Sequence, residues 1–129
     1  VKRTTRDGKP LREDPVIRQR IAQLATECEV GRLLGVKFIS AAMQGGKTPT
    51  VEASCYKLYA TELSLRIANA TMDIVGPGAQ LTLDTEDAPL RGRPERCYTY
   101  TVIDTIGGGS SEVQKNIIAR RHLGLPKNF

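Results

Sequence analysis

Ile106-Gly107-Gly108-Gly109-Ser110-Ser111-Glu112-Val113-Gln114 is the most informative run in the chain. Three glycines lead straight into a helix start. Glycine reaches positive φ without strain and leaves no Cβ in the way of a ligand. Ser111 and Gln114 stand in capping-box spacing, in which each side chain satisfies a backbone N–H of the first turn. A glycine-rich turn emptying into a helix N-terminus offers free N–H donors and the positive end of the helix dipole, which suits a phosphate. The same residues also read as a flexible loop before a capped helix.

Working outward, the helix after this turn is expected from Ser111 to about His122, with Val113, Ile117 and Ile118 facing inward. Lys115, Arg120, Arg121 and His122 gather toward its C-terminal end, where the dipole favours cations. Gly124 and Pro126 finish it. Before the turn, Pro94 opens a shorter helix through Tyr98, Val102 and Ile103, against the β-branched character of Thr99, Thr101, Val102 and Ile103. Gln80 to Pro94 reads as an irregular stretch carrying Asp84, Glu86, Asp87, Arg91 and Arg93, a solvated connection in preference to a functional loop. Further back, Thr48 and Pro49 start a helix that Gly76-Pro77-Gly78 stops. Val51, Cys55, Leu58, Leu65, Met72 and Val75 form one apolar face of it. Tyr56, Leu63, Ile67, Ala70 and Ile74 form another, as in a helix inside a bundle or at a subunit interface.

The first helix is announced by Asp14 as N-cap and Pro15 at the first helical position. Ile17, Ile21, Leu24 and Cys28 follow at helical spacing. A second stripe of Val30, Leu33, Leu34 and Phe38 carries the pattern to about Met43, which predicts burial on more than one side. Gly31 and Gly35, four apart, either let a neighbouring helix come close or mark a weak point, since each costs helix stability relative to Ala. Val1 to Arg12 is basic and polar, with a turn at Asp7-Gly8-Lys9-Pro10. No strand pattern competes, and no repeat is visible. The expected fold class is all-α, a four-helix up-and-down bundle, with residues 1–129 as a single domain.

Composition narrows the function classes. The chain has 129 residues, 40% of them hydrophobic, and a net charge of +5. The charge is a weak pointer to an anionic partner. Basic residues are scattered and aromatic ones few, so a nucleic-acid stacking platform is not expected. No apolar run approaches a membrane span and nothing resembles a signal peptide. Cys28, Cys55 and Cys97 are odd in number and far apart, which fits reduced thiols in a cytoplasmic protein. His122 stands alone among arginines and reads as a surface residue. Too few His, Cys and clustered carboxylates are present for a metal site. Asp104 lies near the glycine turn. Glu112 reads as a stabilising N-terminal charge. By itself the sequence supports an anion-binding helical domain and no enzyme mechanism.

Lys57-Leu58-Tyr59-Ala60-Thr61-Glu62, followed by the glycine turn and Ser110-Ser111-Glu112-Val113-Gln114-Lys115-Asn116-Ile117-Ile118-Ala119-Arg120-Arg121, resembles the acyl-CoA dehydrogenase family. The likeness runs from Gly8-Lys9-Pro10-Leu11 to Leu125 and covers the family's C-terminal helical domain. The family's N-terminal helical domain and middle β-domain have no counterpart here. The wording of the last motif is similar to an actinobacterial branch, some of whose members act on sterol side-chain thioesters. The resemblance implies oxidation of an acyl-CoA to the trans-2-enoyl-CoA, with FAD as cofactor and an electron-transferring flavoprotein as acceptor. It implies that Gly107, Gly108, Gly109, Ser110 and Glu112 lie by the cofactor, Ser110 matching the family's hydroxyl position. It also implies an oligomer, homo- or heteromeric, built through the bundle.

Three departures qualify this. Many members carry the catalytic Glu where this chain has Gly108. Members resembling isovaleryl-CoA dehydrogenase also have Gly there and take the base from an upstream helix, so no catalytic residue is expected within residues 1–129. The family's Arg-x-x-Phe-Gly turn aligns as Thr4-Thr5-Arg6-Asp7-Gly8, without the Arg and the Phe. A family Gln that precedes a Gly-Gly pair aligns with Asp73, and the second Gly with Pro77. These losses fit a partner subunit of a heteromeric dehydrogenase that holds little or no flavin. A purely helical assembly module is the third reading.

Overall fold

The computed structural model describes residues 5–6, 8–46 and 48–126. Among these, strands β1 (Thr5–Arg6) and β2 (Lys9–Pro10) pair antiparallel, Thr5 opposite Pro10 and Arg6 opposite Lys9. This ladder was not expected. It is made by the turn and not by strand propensity: Gly8 sits at φ +76°, a value glycine takes without strain. Thr4 and Asp7 of the aligned turn lie outside the described residues.

Four α-helices follow. Helix α1 spans Pro15–Met43, α2 Thr50–Val75, α3 Arg93–Ile106 and α4 Ser111–Arg121. Asp14 caps α1 as expected, its Oδ1 accepting from the amides of Val16 (2.8 Å) and Ile17 (3.2 Å). Gly76 ends α2 at φ +82°, and a 3-10 turn over Pro77–Gln80 follows it. The connection expected to be irregular is so, apart from this turn and a second over Pro89–Gly92.

Cross-contacts fix the direction of each helix. Arg20 pairs with Asp73 (2.8 Å) and Glu27 with Arg66 (2.8 Å), so α1 and α2 run antiparallel. Lys57 of α2 meets the carbonyl of Thr105 near the end of α3, while Ala68 lies across from Pro94 at its start, so these two are antiparallel as well. Lys57 and Glu62 meet Gly109 and Lys115 in the same order, so α4 runs parallel to α2. The result is the up-and-down bundle.

Helix α2 is the shared wall: each of the other three packs mainly on it. Its contact faces are made close by small residues. A Cβ on Gly31 would touch the rings and methyls of Tyr59 and Leu63 at 3.6–3.7 Å, and one on Gly35 would press on the Tyr56 ring at 3.1 Å. Close helix approach at these glycines therefore occurs as expected. Leu63, Ala68, Ala70, Ala79, Ala88 and Pro94 make the buried core with Leu11 and Ile17.

Burial of α1 on more than one side is corrected. Leu34 and Phe38 are half-buried toward α2, but Val30 and Leu33 of the second stripe are exposed, Leu33 at 57%. Val36, Ile39 and Met43 extend this open apolar face. One neighbour covers one stripe, and among the described residues nothing packs on the other.

Candidate functional site

The glycine turn closes α3 and opens α4. Gly107 keeps a negative φ of −58° and donates its N–H to the Ile103 carbonyl at 2.8 Å, ending α3. Gly108 and Gly109 then take φ +69° and +98°. Space beside Gly108 is open: a Cβ there would meet nothing within 4 Å. A Cβ on Gly109 would lie 2.8 Å from Gln114 Nε2.

The expected capping box is not formed. Ser110, not Ser111, is the N-cap of α4, and no side chain caps its amides. The Ser110 hydroxyl instead donates to Glu112 Oε2 at 2.7 Å. Gln114 is buried, and its Nε2 donates to the carbonyls of Gly108 (2.9 Å) and Gly109 (3.4 Å). The glutamine amide has been taken by the carbonyls of the preceding turn in place of the capping motif. Val113 is displaced from the expected inward set and is 47% exposed, because Gln114 takes the inward place beside half-buried Ile117 and Ile118.

The residue whose part the sequence did not disclose is Lys57. From α2 its Nζ donates to the Gly109 carbonyl at 2.6 Å and to the Thr105 carbonyl at 3.4 Å. The available signal was a lysine on a helix apolar on two faces, where a solvated ammonium has little room. Further along α2, Glu62 reaches Lys115 of α4 at 3.6 Å. The two motifs that carry the family likeness thus touch each other.

Orientation of the turn follows. In a trans peptide the C=O of one residue and the N–H of the next point opposite ways. With the carbonyls of Gly108 and Gly109 drawn toward Gln114 and Lys57, the amides of Gly109 and Ser110 face outward. Among the described residues neither amide has an acceptor.

Electrostatics refine the ligand. The Ser110 hydroxyl holds the Glu112 carboxyl below its ordinary range, helped by the Glu112 amide and the Lys115 charge. Glu112 is therefore ionised at neutral pH and already sits in the first turn of α4, where an anion would gain from the dipole. A carboxylate beside the two amides opposes a phosphate dianion. Two outward N–H donors suit a neutral, acceptor-bearing edge, while the Ser110 proton is committed to Glu112.

Other residues weighed from sequence lie elsewhere. Asp73 is engaged by Arg20. Asp104 lines an open groove of ≈ 920 Å³ between α2 and α3, away from the turn's amides. His122 is the exposed C-cap of α4. Cys28, Cys55 and Cys97 are unbridged. Among the described residues no group of His, Cys, Asp and Glu is arranged to hold a metal, and no helix is long and apolar enough to cross a membrane.

Comparison with known proteins agrees with this fold. The family model described as acyl-CoA dehydrogenase, C-terminal domain, matches residues 1–123. The acyl-CoA dehydrogenase FadE26 of Mycobacterium tuberculosis is 32% identical over 123 residues, which cover 93% of this chain and 30% of that protein. The crystal structure of the ChsE4-ChsE5 complex from Mycobacterium tuberculosis superposes with a TM-score of 0.87 at 30% identity, covering 98% of this chain and 33% of the chain it matches. A structure named as the Tcur3481-Tcur3483 steroid ACAD gives 0.82 at 26% identity, covering 92% and 30%. The chain spans about 30% of the length of such relatives. It belongs to the acyl-CoA dehydrogenase family and corresponds to that family's C-terminal domain.

Proposed function

We propose that this chain is the C-terminal helical part of a FAD-dependent acyl-CoA dehydrogenase, acting on an acyl-CoA to give the trans-2-enoyl-CoA and passing electrons to an electron-transferring flavoprotein. Gly107, Gly108, Gly109, Ser110 and Glu112 lie against the flavin in this reading. The observation that carries it is the pair of amides at Gly109 and Ser110, which the carbonyls held at Gly108 and Gly109 leave without an acceptor among the described residues. These donors fit the neutral, acceptor-rich edges of a flavin, and bare Gly108 lets a flat ring approach. When bound, FAD supplies the hydride-accepting chemistry, while the protein binds and orients it.

At the position where many family members carry the catalytic Glu, this chain has Gly108, which has no side chain to take a proton, and the Glu112 carboxylate nearby is engaged by the Ser110 hydroxyl. The α-proton acceptor then belongs to another part of the assembly, and residues 1–129 alone are expected to be inactive toward acyl-CoA. The open stripe of Leu33, Val36 and Met43 supports assembly through α1. Three unbridged cysteines support a cytoplasmic setting.

A second reading is favoured by one specific observation. Asp73, standing where the family has a flavin-side Gln, is tied to Arg20 within this chain. That suits a subunit with a weakened flavin site in a heteromeric dehydrogenase. FAD released from the purified dehydrogenase, alone and with a co-encoded partner, separates the two. About one FAD per subunit alone supports the first, and about one per two subunits, only with the partner, supports the second. No flavin in either preparation overturns both.

A further inference from the structure

We infer that Lys57 is the positioning residue of the glycine turn, acting with Gln114 to aim the Gly109 and Ser110 amides at the ligand; this rests on the flavin-facing reading of the turn.

An ammonium has three donors and no acceptor. Among the described residues no carboxylate pairs with Lys57, although it is half-buried in the most enclosed helix of the bundle. A part-desolvated cation with no counter-ion is costly unless dipoles replace water. Here the replacement is two backbone carbonyls. Thr105 belongs to the last turn of α3, where the helix dipole favours a cation, and Gly109 belongs to the loop itself.

The grip is specific to the turn. Glycine at 108 and 109 gives the backbone many conformations, so an unclamped loop would sample both faces of each peptide. Lys57 holds the Gly109 carbonyl from the α2 side, and Gln114 holds the Gly108 and Gly109 carbonyls from the α4 side. Each carbonyl held inward sets the next amide outward. The ordering cost is thereby met in the folded chain before any ligand arrives. Lys57 contributes no proton and touches no cofactor in this arrangement; it acts through the backbone.

The test uses Lys57→Met, which keeps an unbranched apolar stem of similar length, and Gln114→Leu as a second variant should the first fail to fold. Backbone order parameters are read for Gly108, Gly109 and Ser110 in the chain of 129 residues without cofactor. The wild type is expected near the rigid value of about 0.85, and either variant below about 0.6 at these positions, with α2 unchanged. In the complete dehydrogenase the same variants are expected to weaken FAD binding about tenfold and to shift the flavin's visible band, with Lys57→Arg recovering part of the loss. Unchanged order at the turn in folded variants overturns the inference, whether or not the wild type holds flavin. Equal FAD affinity and an unmoved band in a flavin-binding dehydrogenase also overturn it and leave the flavin reading standing. Loss of order in a protein that binds no FAD upholds the clamp and overturns the flavin reading alone.

Discussion

Lys57 Nζ and the carbonyl oxygen of Gly109 lie 2.6 Å apart across 52 positions of sequence. The contact joins the shared wall of the bundle to the glycine turn of its last loop. Further along the same helix, Glu62 and Lys115 tie α2 to α4 at 3.6 Å. The two links differ in worth. Side chains of Glu62 and Lys115 are 38% and 62% exposed, so a double-mutant cycle on this pair is expected to give less than about 1 kcal/mol. Lys57→Met removes hydrogen bonds from a half-buried charge and should cost about 1.5–3 kcal/mol in urea unfolding. Reversal of that order would mean the turn is held by something other than Lys57.

Gly92→Ala should be among the most damaging single-methyl changes. Gly92 sits at φ +66°, and an added Cβ would run into the backbone of Thr82 and Leu83. Backbone cannot step aside as a side chain tip can. The left-handed conformation alone costs a non-glycine residue about 1–2 kcal/mol, and the overlap adds to this. Gly108→Ala meets open space and should show only the conformational part. Thermal or urea midpoints of the two variants measured together would check the difference.

Acid titration should find Glu112 below the ordinary carboxylate range. The Ser110 hydroxyl bond is the main cause, followed by the Glu112 amide and Lys115. A carboxyl lowered in the folded state favours folding above its unfolded pKa, and this contribution is lost as pH falls through the lowered value. Ser110→Ala should move the Glu112 carboxyl resonance's midpoint upward. A midpoint that stays put would show that the hydroxyl is not its partner in solution.

Assembly through α1 predicts a sharp response to charge on its open stripe. Leu33→Glu combined with Val36→Glu adds like charges at positions that are 57% and 51% exposed and outside the buried core. Circular dichroism should hardly change, while sedimentation of the complete dehydrogenase should shift to a smaller species. An unchanged sedimentation profile would remove α1 from the interface.

What could be read from sequence was local. Asp14-Pro15 and Gly76-Pro77 set helix ends through short-range capping and through proline and glycine geometry, and both ends stand where expected. Gly31 and Gly35 pointed to a close helix contact because four-residue spacing puts both on one face. The part not legible was the choice among competing partners, some near in sequence and some far. Ser111 and Gln114 had the right spacing for a cap, but the Gln114 amide is committed to two carbonyls before α4. Apolar spacing in α1 counted its apolar stripes correctly, yet could not tell that one chain supplies a partner for only one of them. Lys57 looked like part of a motif; its role needed α2 beside the turn.

Helix α2 meets α1, α3 and α4, whereas among the described residues those three pack mainly on α2 and little on one another. This makes the domain a hub with three spokes. A substitution in a spoke perturbs one seam and leaves the other two to hold. A substitution in the hub is felt in several seams together. Over time the spokes should drift to suit new neighbours while the hub stays nearly still, so one helical scaffold can be refitted to different partners without being rebuilt.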